Sequence, residues 1–126
     1  MREAYGLENE DLLWAGTNFF GGISGYQKAP CGAVSASAVC LGLRQLCSPG
    51  DEEKVQQETE TARRKARELI QSFAEKFGNI ICLELIGVDF SIPGELGKFF
   101  DSGRGEETCH QYVRFCVEKL YELDEK

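Results

Sequence analysis

Hydrophobic residues recur at helical spacing over two long stretches of the chain. From Glu52 to Phe77, apolar side chains return every three, four or seven positions, and Glu, Gln, Lys and Arg fill most other positions. This pattern predicts a long amphipathic helix that ends at Gly78, a residue type that favours helix termination. A similar stripe predicts a last helix over residues 107–123, with Cys109 and Cys116 on its apolar face.

The first half of the chain predicts two further helices, separated by a glycine-rich loop. Residues 9–18 begin with polar side chains, and Asn9 is a suitable capping residue for a short first helix. Residues 21–30 contain three glycines and a proline, which indicates an ordered loop. Residues 31–47 are apolar or small on nearly every side but too few to span a bilayer, so we expect a buried central helix.

The remaining segments carry weaker patterns. Residues 79–87 favour a loop that leads into one helical turn at Cys82 to Ile86, because a single short strand would have no partner. Residues 88–106 are rich in glycine and are expected to form a loop. Together the elements predict an all-α, single-domain bundle of four to five helices, with the glycine-rich loop preceding the central helix.

Charge and composition narrow the classes of function. The 126 residues include 14 Lys and Arg against 21 Asp and Glu, a net charge of −7. A chain this acidic is a poor binder of nucleic acid or of anionic membranes, since both need clustered cations. The sequence contains neither an apolar run long enough to span a membrane nor an apparent secretory signal, so we expect a cytoplasmic protein.

Six cysteines carry most of the candidate chemistry: Cys31, Cys40, Cys47, Cys82, Cys109 and Cys116. In a reducing cytosol, cysteines are more often buried apolar residues, metal ligands or redox groups than structural disulfides. The chain has no C-x-x-C or C-x-x-C-H pattern, which leaves zinc ribbons, thioredoxin-type pairs and haem attachment without support.

Position distinguishes some of these cysteines from the others. Cys31 follows the glycine-rich loop and opens the central helix, where free N–H groups and the helix dipole are expected to lower the thiol pKa. The same reasoning applies to Cys109 in the first turn of the last helix. Cys40, Cys47 and Cys116 are better explained as small buried hydrophobes.

The other titratable residues give little indication of a site. His110 is the only histidine, so a histidine pair within one chain is excluded, and an exposed residue near the helix start is its simplest interpretation. Asp and Glu lie mostly on polar helix faces and form no paired-carboxylate motif.

Three segments carry a recognisable arrangement: the glycine-rich stretch 16–25 with the following Cys31-Gly32-Ala33, the stretch 77–87 around Cys82, and the Cys109-His110 start of the last helix. Together they resemble a family of redox-active proteins defined by a C-G-A-x-x-G motif. Their order and spacing agree over nearly the whole chain. The final glycine of the motif is replaced by Ala36.

The resemblance implies a redox centre held by four cysteines, with an iron–sulfur cluster as the candidate cofactor. Three of these positions correspond to Cys31, Cys82 and Cys109, which would be the metal ligands, and Gly32 belongs to the same cofactor-binding motif. The fourth cysteine of the family lies on an upstream helix, and no cysteine precedes Cys31 here. We therefore expect a domain without that cysteine-bearing first helix, whose cluster needs another ligand from Cys40, Cys47, Cys116, His110, a second chain or an exogenous molecule.

Three hypotheses follow for the cysteines. They bind a cluster or another metal and transfer electrons to an unknown partner protein, or two of them form a reversible disulfide without metal, or they are structural residues of a non-catalytic interaction protein. The first two require the three sulfur atoms to lie near one another. The buried-looking helices leave apolar surface that a second copy could cover, so we also consider a homodimer.

Overall fold

Six helices make up the protein in a computed structural model that describes Gly6 and residues 8–125. The part of the chain described contains no β-strand, only two isolated bridges. This is the all-α, single-domain architecture that the sequence predicts. The helices are α1 (Asp11–Ala15), α2 (Gly32–Arg44), α3 (Glu52–Phe77), α4 (Cys82–Ile86), α5 (Glu95–Asp101) and α6 (Arg104–Asp124).

The core lies where α2, α3 and α6 pack against one another. Phe73 of α3 is fully buried, and its ring contacts the rings of Phe77, Tyr112 and Phe115 with centroid separations of 4.7, 5.6 and 5.7 Å. The aromatic contacts therefore join the two longest helices. The rest of the buried core comes mainly from aliphatic and thiol side chains: Val34, Leu41, Leu69, Cys82, Ile86, Cys116, Leu120 and Leu123.

The bounds of α3 and α4 confirm two sequence predictions. The side chain of Asp51 accepts a hydrogen bond from the backbone N–H of Lys54 at 3.0 Å and caps α3, which ends at Gly78 with φ of 84°. This left-handed conformation suits glycine. α4 occupies Cys82–Ile86, as its apolar pattern predicts.

The first two helices are shorter than predicted. α1 covers only Asp11–Ala15, and Leu13 and Trp14 on it are 61% and 77% exposed, so burial gives it little support. Asn9 still accepts a hydrogen bond from the backbone N–H of Asp11 at 2.9 Å. α2 ends at Arg44, which places Cys47 beyond the helix.

The prediction that α2 is buried on all sides is wrong. Only Val34, Ser37 and Leu41 are buried on this helix, and Val39 is exposed. Small residues make the sequence look like the interior of a bundle, but two of them, Ala38 and Gly42, are exposed together with Val39.

The expectation of a loop over residues 88–106 is also wrong. α5 forms at Glu95–Asp101 because Phe99 is almost completely buried against neighbouring aromatic rings, and α6 starts at Arg104 rather than 107. Gly105 is a packing residue of the first turn of α6, since a Cβ atom there would lie 2.7 Å from the ring of Phe100.

Two further sequence expectations concern the membrane and the start of the chain. No helix among the described residues combines the length and hydrophobicity needed to cross a membrane. The expectation that an upstream cysteine-bearing helix is missing falls on residues 1–5 and 7, which lie outside the described residues.

Candidate functional site

Three cysteines from separate segments line one cavity of about 200 Å³. Cys31 immediately precedes α2, Cys82 is the first residue of α4, and Cys109 lies in the second turn of α6. These are the three cysteines that the family resemblance singles out. The fold therefore brings the early, middle and late parts of the chain together at one place.

Backbone pairing holds Cys31 and Cys82 side by side. The Cys31 N–H donates to the carbonyl of Ile80 at 2.6 Å, and the Cys82 N–H donates to the carbonyl of Ala29 at 3.1 Å. These two bonds flank an antiparallel bridge between Pro30 and Ile81. Because side chains alternate across such a pair, the two cysteines become diagonal neighbours on the same side.

Gly32 allows a close approach between α2 and the glycine-rich segment. A Cβ atom at this position would lie 2.4 Å from the carbonyl oxygen of Phe19 and 2.9 Å from its carbonyl carbon. Backbone atoms cannot move aside as a flexible side chain can. Gly32 also lines the cavity, so the motif glycine sets how near the Phe19–Gly22 wall lies to Cys31.

The remaining walls of the cavity are apolar or small. The ring of Phe90 lies near two other rings of the wall, with its centroid 6.4 Å from that of Phe20 and 6.3 Å from that of Phe100. Phe20, Phe100 and Val113 are each about half exposed, so the cavity meets solvent through an apolar rim. No charged side chain is among the lining residues: Phe19, Phe20, Gly21, Gly22, Cys31, Gly32, Ala33, Cys82, Ile86, Phe90, Phe100, Cys109 and Val113.

Gln27 is a site residue that sequence reasoning missed. Its side chain is buried, donates to the carbonyl of Val88 at 2.7 Å and accepts from the N–H of Phe90 at 2.7 Å. Its Nε2 atom also lies 3.9 Å from the sulfur of Cys82. A glutamine in a glycine-rich loop gives no pattern that would distinguish it from an exposed residue.

The pKa of each cavity thiol is raised, which corrects the expectation for Cys31. Burial raises the pKa of Cys31, and the backbone N–H groups of Ala33 and Val34 lower it by a smaller amount. The helix start therefore acts in the predicted direction, but desolvation of the thiolate outweighs it.

Cys109 departs from the prediction for the same reason and for a second one. Because α6 begins at Arg104, Cys109 lies beyond the free N–H groups of the first turn. Burial raises its pKa, and the nearby thiols of Cys31 and Cys82 raise it further. For Cys82, burial raises the pKa, the Gln27 side chain lowers it, and Cys31 raises it again. These mutual effects agree with a shared site.

The other cysteines and the histidine lie elsewhere. Cys116 is buried, and burial raises its pKa to about 11, in agreement with a core role. Cys40 is half-buried against the core. Cys47 lines a separate open groove of about 540 Å³ between α2 and α3, and no other cysteine lines it. His110 is exposed.

The cysteines of the cavity suit a cluster better than a single metal ion. Over Gly6 and residues 8–125, no three His, Cys, Asp or Glu side chains are grouped so that they could hold a single metal ion. A cluster of four iron atoms has a different requirement, because each cysteine sulfur binds a different iron atom and the ligands can stand farther apart. Three thiols around one cavity fit this second requirement in part, with a fourth ligand still to be supplied.

The arrangement of cysteines is that of a known protein family. The model of the family described as "Putative redox-active protein (C_GCAxxG_C_C)" matches residues 1–123. The chain is a member of this family. Comparison with curated proteins and with solved structures finds no match.

Membership in the C_GCAxxG_C_C family agrees with the resemblance drawn from the three cysteine-containing segments. The family description supports redox activity at the level of the whole protein and names no cofactor or partner. The cavity of Cys31, Cys82 and Cys109 is therefore the place in this family member where a redox function is best sought.

Proposed function

We propose that this protein transfers electrons by means of an iron–sulfur cluster bound through Cys31, Cys82 and Cys109. The observation that carries the proposal is the convergence of these three thiols on one apolar-walled cavity. Cysteine thiolates are the usual ligands of such clusters. The family description supports redox activity, and the cavity supplies a site for it.

The spacing of the thiols favours a group of several atoms. Residues that are diagonal neighbours on one face of an antiparallel strand pair lie about 7–8 Å apart. Direct disulfides need Cα separations of roughly 4.4–6.8 Å. Cys31 and Cys82 are such diagonal neighbours, and all six cysteines are free. A spacing of this size is wider than a direct disulfide favours, and a cluster would bridge it.

The residues around the cavity have separate roles in this proposal. The three thiols would lose their protons on binding and act as ligands, while the phenylalanine walls exclude water. A cluster supplies one-electron chemistry at a potential set by the surrounding hydrogen bonds and solvent exposure. Three cysteine ligands leave one coordination position, which a second copy of the chain or an exogenous ligand would fill.

The test is anaerobic purification followed by iron and sulfide analysis, visible absorbance and electron paramagnetic resonance. We expect stoichiometric iron and sulfide and a signal that changes on reduction. Cys31→Ser, Cys82→Ser and Cys109→Ser should each lose most of the iron. Cys40→Ser and Cys47→Ser are the matched controls and should retain it. Absence of iron and sulfide from anaerobic protein, or equal loss in the controls, would overturn the cluster proposal.

A second candidate function is metal-free dithiol/disulfide exchange. Burial raises the pKa of all three thiols, which keeps them protonated and uncharged at neutral pH. A disulfide is also uncharged, so both redox states suit an apolar cavity. Two thiols would give up two protons and two electrons to a disulfide-containing partner, which becomes a dithiol while the new disulfide forms here.

Thiol counting separates this second candidate from the cluster. Metal-free protein should lose two thiols when titrated with oxidised dithiothreitol and regain them with reduced dithiothreitol. Substitution of the participating cysteines should abolish the change. A constant count of six thiols, together with absence of iron, would leave the cysteines as structural residues. In that case the serine variants would alter only the free energy of unfolding.

A further inference from the structure

Gln27 occupies a position that connects the cysteine site to the segment 88–90. It lies four residues before Cys31 and is only 6% exposed. Its backbone carbonyl accepts a hydrogen bond from the N–H of Leu83 at 2.9 Å. Its side chain therefore points into the protein from a backbone already paired with the start of α4, where Cys82 lies.

The three side-chain contacts of Gln27 fix the orientation of its amide group. The oxygen accepts from the Phe90 N–H, and one N–H of Nε2 donates to the carbonyl of Val88, both at 2.7 Å. An amide nitrogen carries two N–H groups. The second one is left to donate to the sulfur of Cys82 across 3.9 Å. A flipped amide would place its oxygen against the Val88 carbonyl oxygen and its NH2 group against the Phe90 N–H. The two backbone partners therefore enforce the observed orientation.

We propose that Gln27 is a positioning residue of the redox site, which donates a hydrogen bond to the sulfur of Cys82 and ties the Phe90 wall to it. This inference rests on the proposed function, because it concerns the redox change at the Cys82 sulfur. It adds to that proposal a residue outside the cysteine motif and a specific role for its amide group. The lowering of the Cys82 pKa by Gln27 agrees with the contact.

The expected consequence is a shift in the redox equilibrium. A hydrogen-bond donor stabilises the electron-rich sulfur of the reduced state more than the oxidised state, and hydrogen bonds to sulfur are a known influence on cluster potentials. Loss of the donor should lower the equilibrium constant for reduction about three- to tenfold. A tenfold change is about 59 mV for a one-electron couple and about 29.6 mV for a two-electron couple.

Two variants separate the donor from the connection to segment 88–90. Gln27→Met removes every polar contact of the side chain without adding charge and tests the donor. Gln27→Glu keeps an acceptor for the Phe90 N–H, removes the amide N–H donor and, when ionised, adds a negative charge that also lowers the potential. Both should make the midpoint potential more negative. Amide hydrogen exchange at Phe90 should accelerate in Gln27→Met and stay near wild type in Gln27→Glu. Gln71→Met, the same change at an exposed position of α3, is the control and should leave both measurements unchanged.

The outcomes separate this inference from the proposed function. A wild-type protein with no reversible redox transition would contradict the proposed function. The contact is then judged in the reduced, metal-free protein by the S–H stretching band of Cys82, identified by its loss in Cys82→Ala. A shift of this band in both Gln27 variants would support the contact. An unshifted band, or an unchanged potential in a redox-active folded variant, would overturn the role of Gln27.

Discussion

Gly32 and Gly42 lie on the same helix but have opposite surroundings. Gly32 faces the backbone carbonyl of Phe19 so closely that a Cβ atom would overlap with it, whereas a Cβ atom at Gly42 would meet nothing within 4 Å. Composition alone makes the two glycines look alike. The difference arises because only one of them is packed against another segment of backbone.

Gly32→Ala should therefore destabilise the protein, and Gly42→Ala should stabilise it. Forcing a methyl group into a filled space costs about 1–3 kcal/mol. Replacing an exposed helical glycine by alanine gains about 1 kcal/mol. Urea denaturation of both variants measures the two changes. Equal effects of the same sign would show that Phe19 does not pack against Gly32 as described.

Cys116 should make stability fall at alkaline pH. Its pKa is about 9.0 in the unfolded chain and about 11 in the folded protein because burial disfavours the thiolate. The unfolded state therefore loses its proton first, and the contribution is complete below pH 9 and lost as the pH rises from 9 to 11. The loss should be on the order of 2 kcal/mol.

The measurement is denaturant unfolding of wild type and Cys116→Ala under reducing conditions at pH 8, 9, 10 and 11. The other buried thiols contribute in the same direction, so the variant should keep part of the slope and lose the share due to Cys116. Parallel pH curves for the two proteins would contradict the assigned burial effect.

Among the elements, α3 shows how local signals and packing can agree. Its amphipathic pattern, the acidic cap and the terminal glycine all indicate the same bounds, and the structure has them. α5 is the opposite case, because Pro93, Gly94 and Gly97 indicate a loop while burial of Phe99 supports a helix. Burial decides there because a seven-residue helix has little intrinsic stability.

Asp51→Ala should cost about 1 kcal/mol of unfolding free energy, since it removes the side-chain acceptor for the Lys54 N–H at the start of α3. Asp51→Asn is the matched control, because asparagine caps a helix about as well as aspartate does. Thermal and urea unfolding of the two variants should show a loss for alanine and little change for asparagine. A similar loss in both would indicate that charge rather than the cap hydrogen bond matters.

At the scale of the whole molecule, one aromatic cluster holds the longest helices together. Phe73 of α3 is completely buried, and its ring lies against Tyr112 and Phe115 of α6. Cys109 also lies on α6 and lines the cavity. The packing of α6 against α3 therefore helps to set the position of Cys109.

Phe73→Ala should destabilise the protein by about 3–5 kcal/mol, the usual cost of removing a buried phenyl ring. Tyr121→Ala, at a half-exposed aromatic of α6, is the control and should cost much less. Denaturant unfolding followed by circular dichroism gives both values. A cost at Phe73 no greater than that at Tyr121 would contradict the description of the core.

Some features of the fold and of the candidate site are encoded by local sequence signals, and others arise only from tertiary contacts. Helical spacing and glycine placement were enough for the all-α class, the bounds of α3 and the short turn at Cys82 to Ile86, because those signals are local. Family resemblance singled out Cys31, Gly32, Cys82 and Cys109. Pattern alone could not show that the three thiols line a common cavity. That depends on the backbone pairing of the Cys31 and Cys82 segments, about fifty residues apart, and on the packing of α6, which carries Cys109.

What the sequence by itself determined is the class of fold, the amphipathic helices and the residue types available for thiol chemistry. Only the tertiary structure decided that burial outweighs the helix start at Cys31, that Phe99 supports an extra helix, and that Gln27 reaches the Cys82 sulfur. The physical reason is that desolvation, packing and long-range hydrogen bonds depend on which segments come into contact. A local pattern of residues does not contain that information.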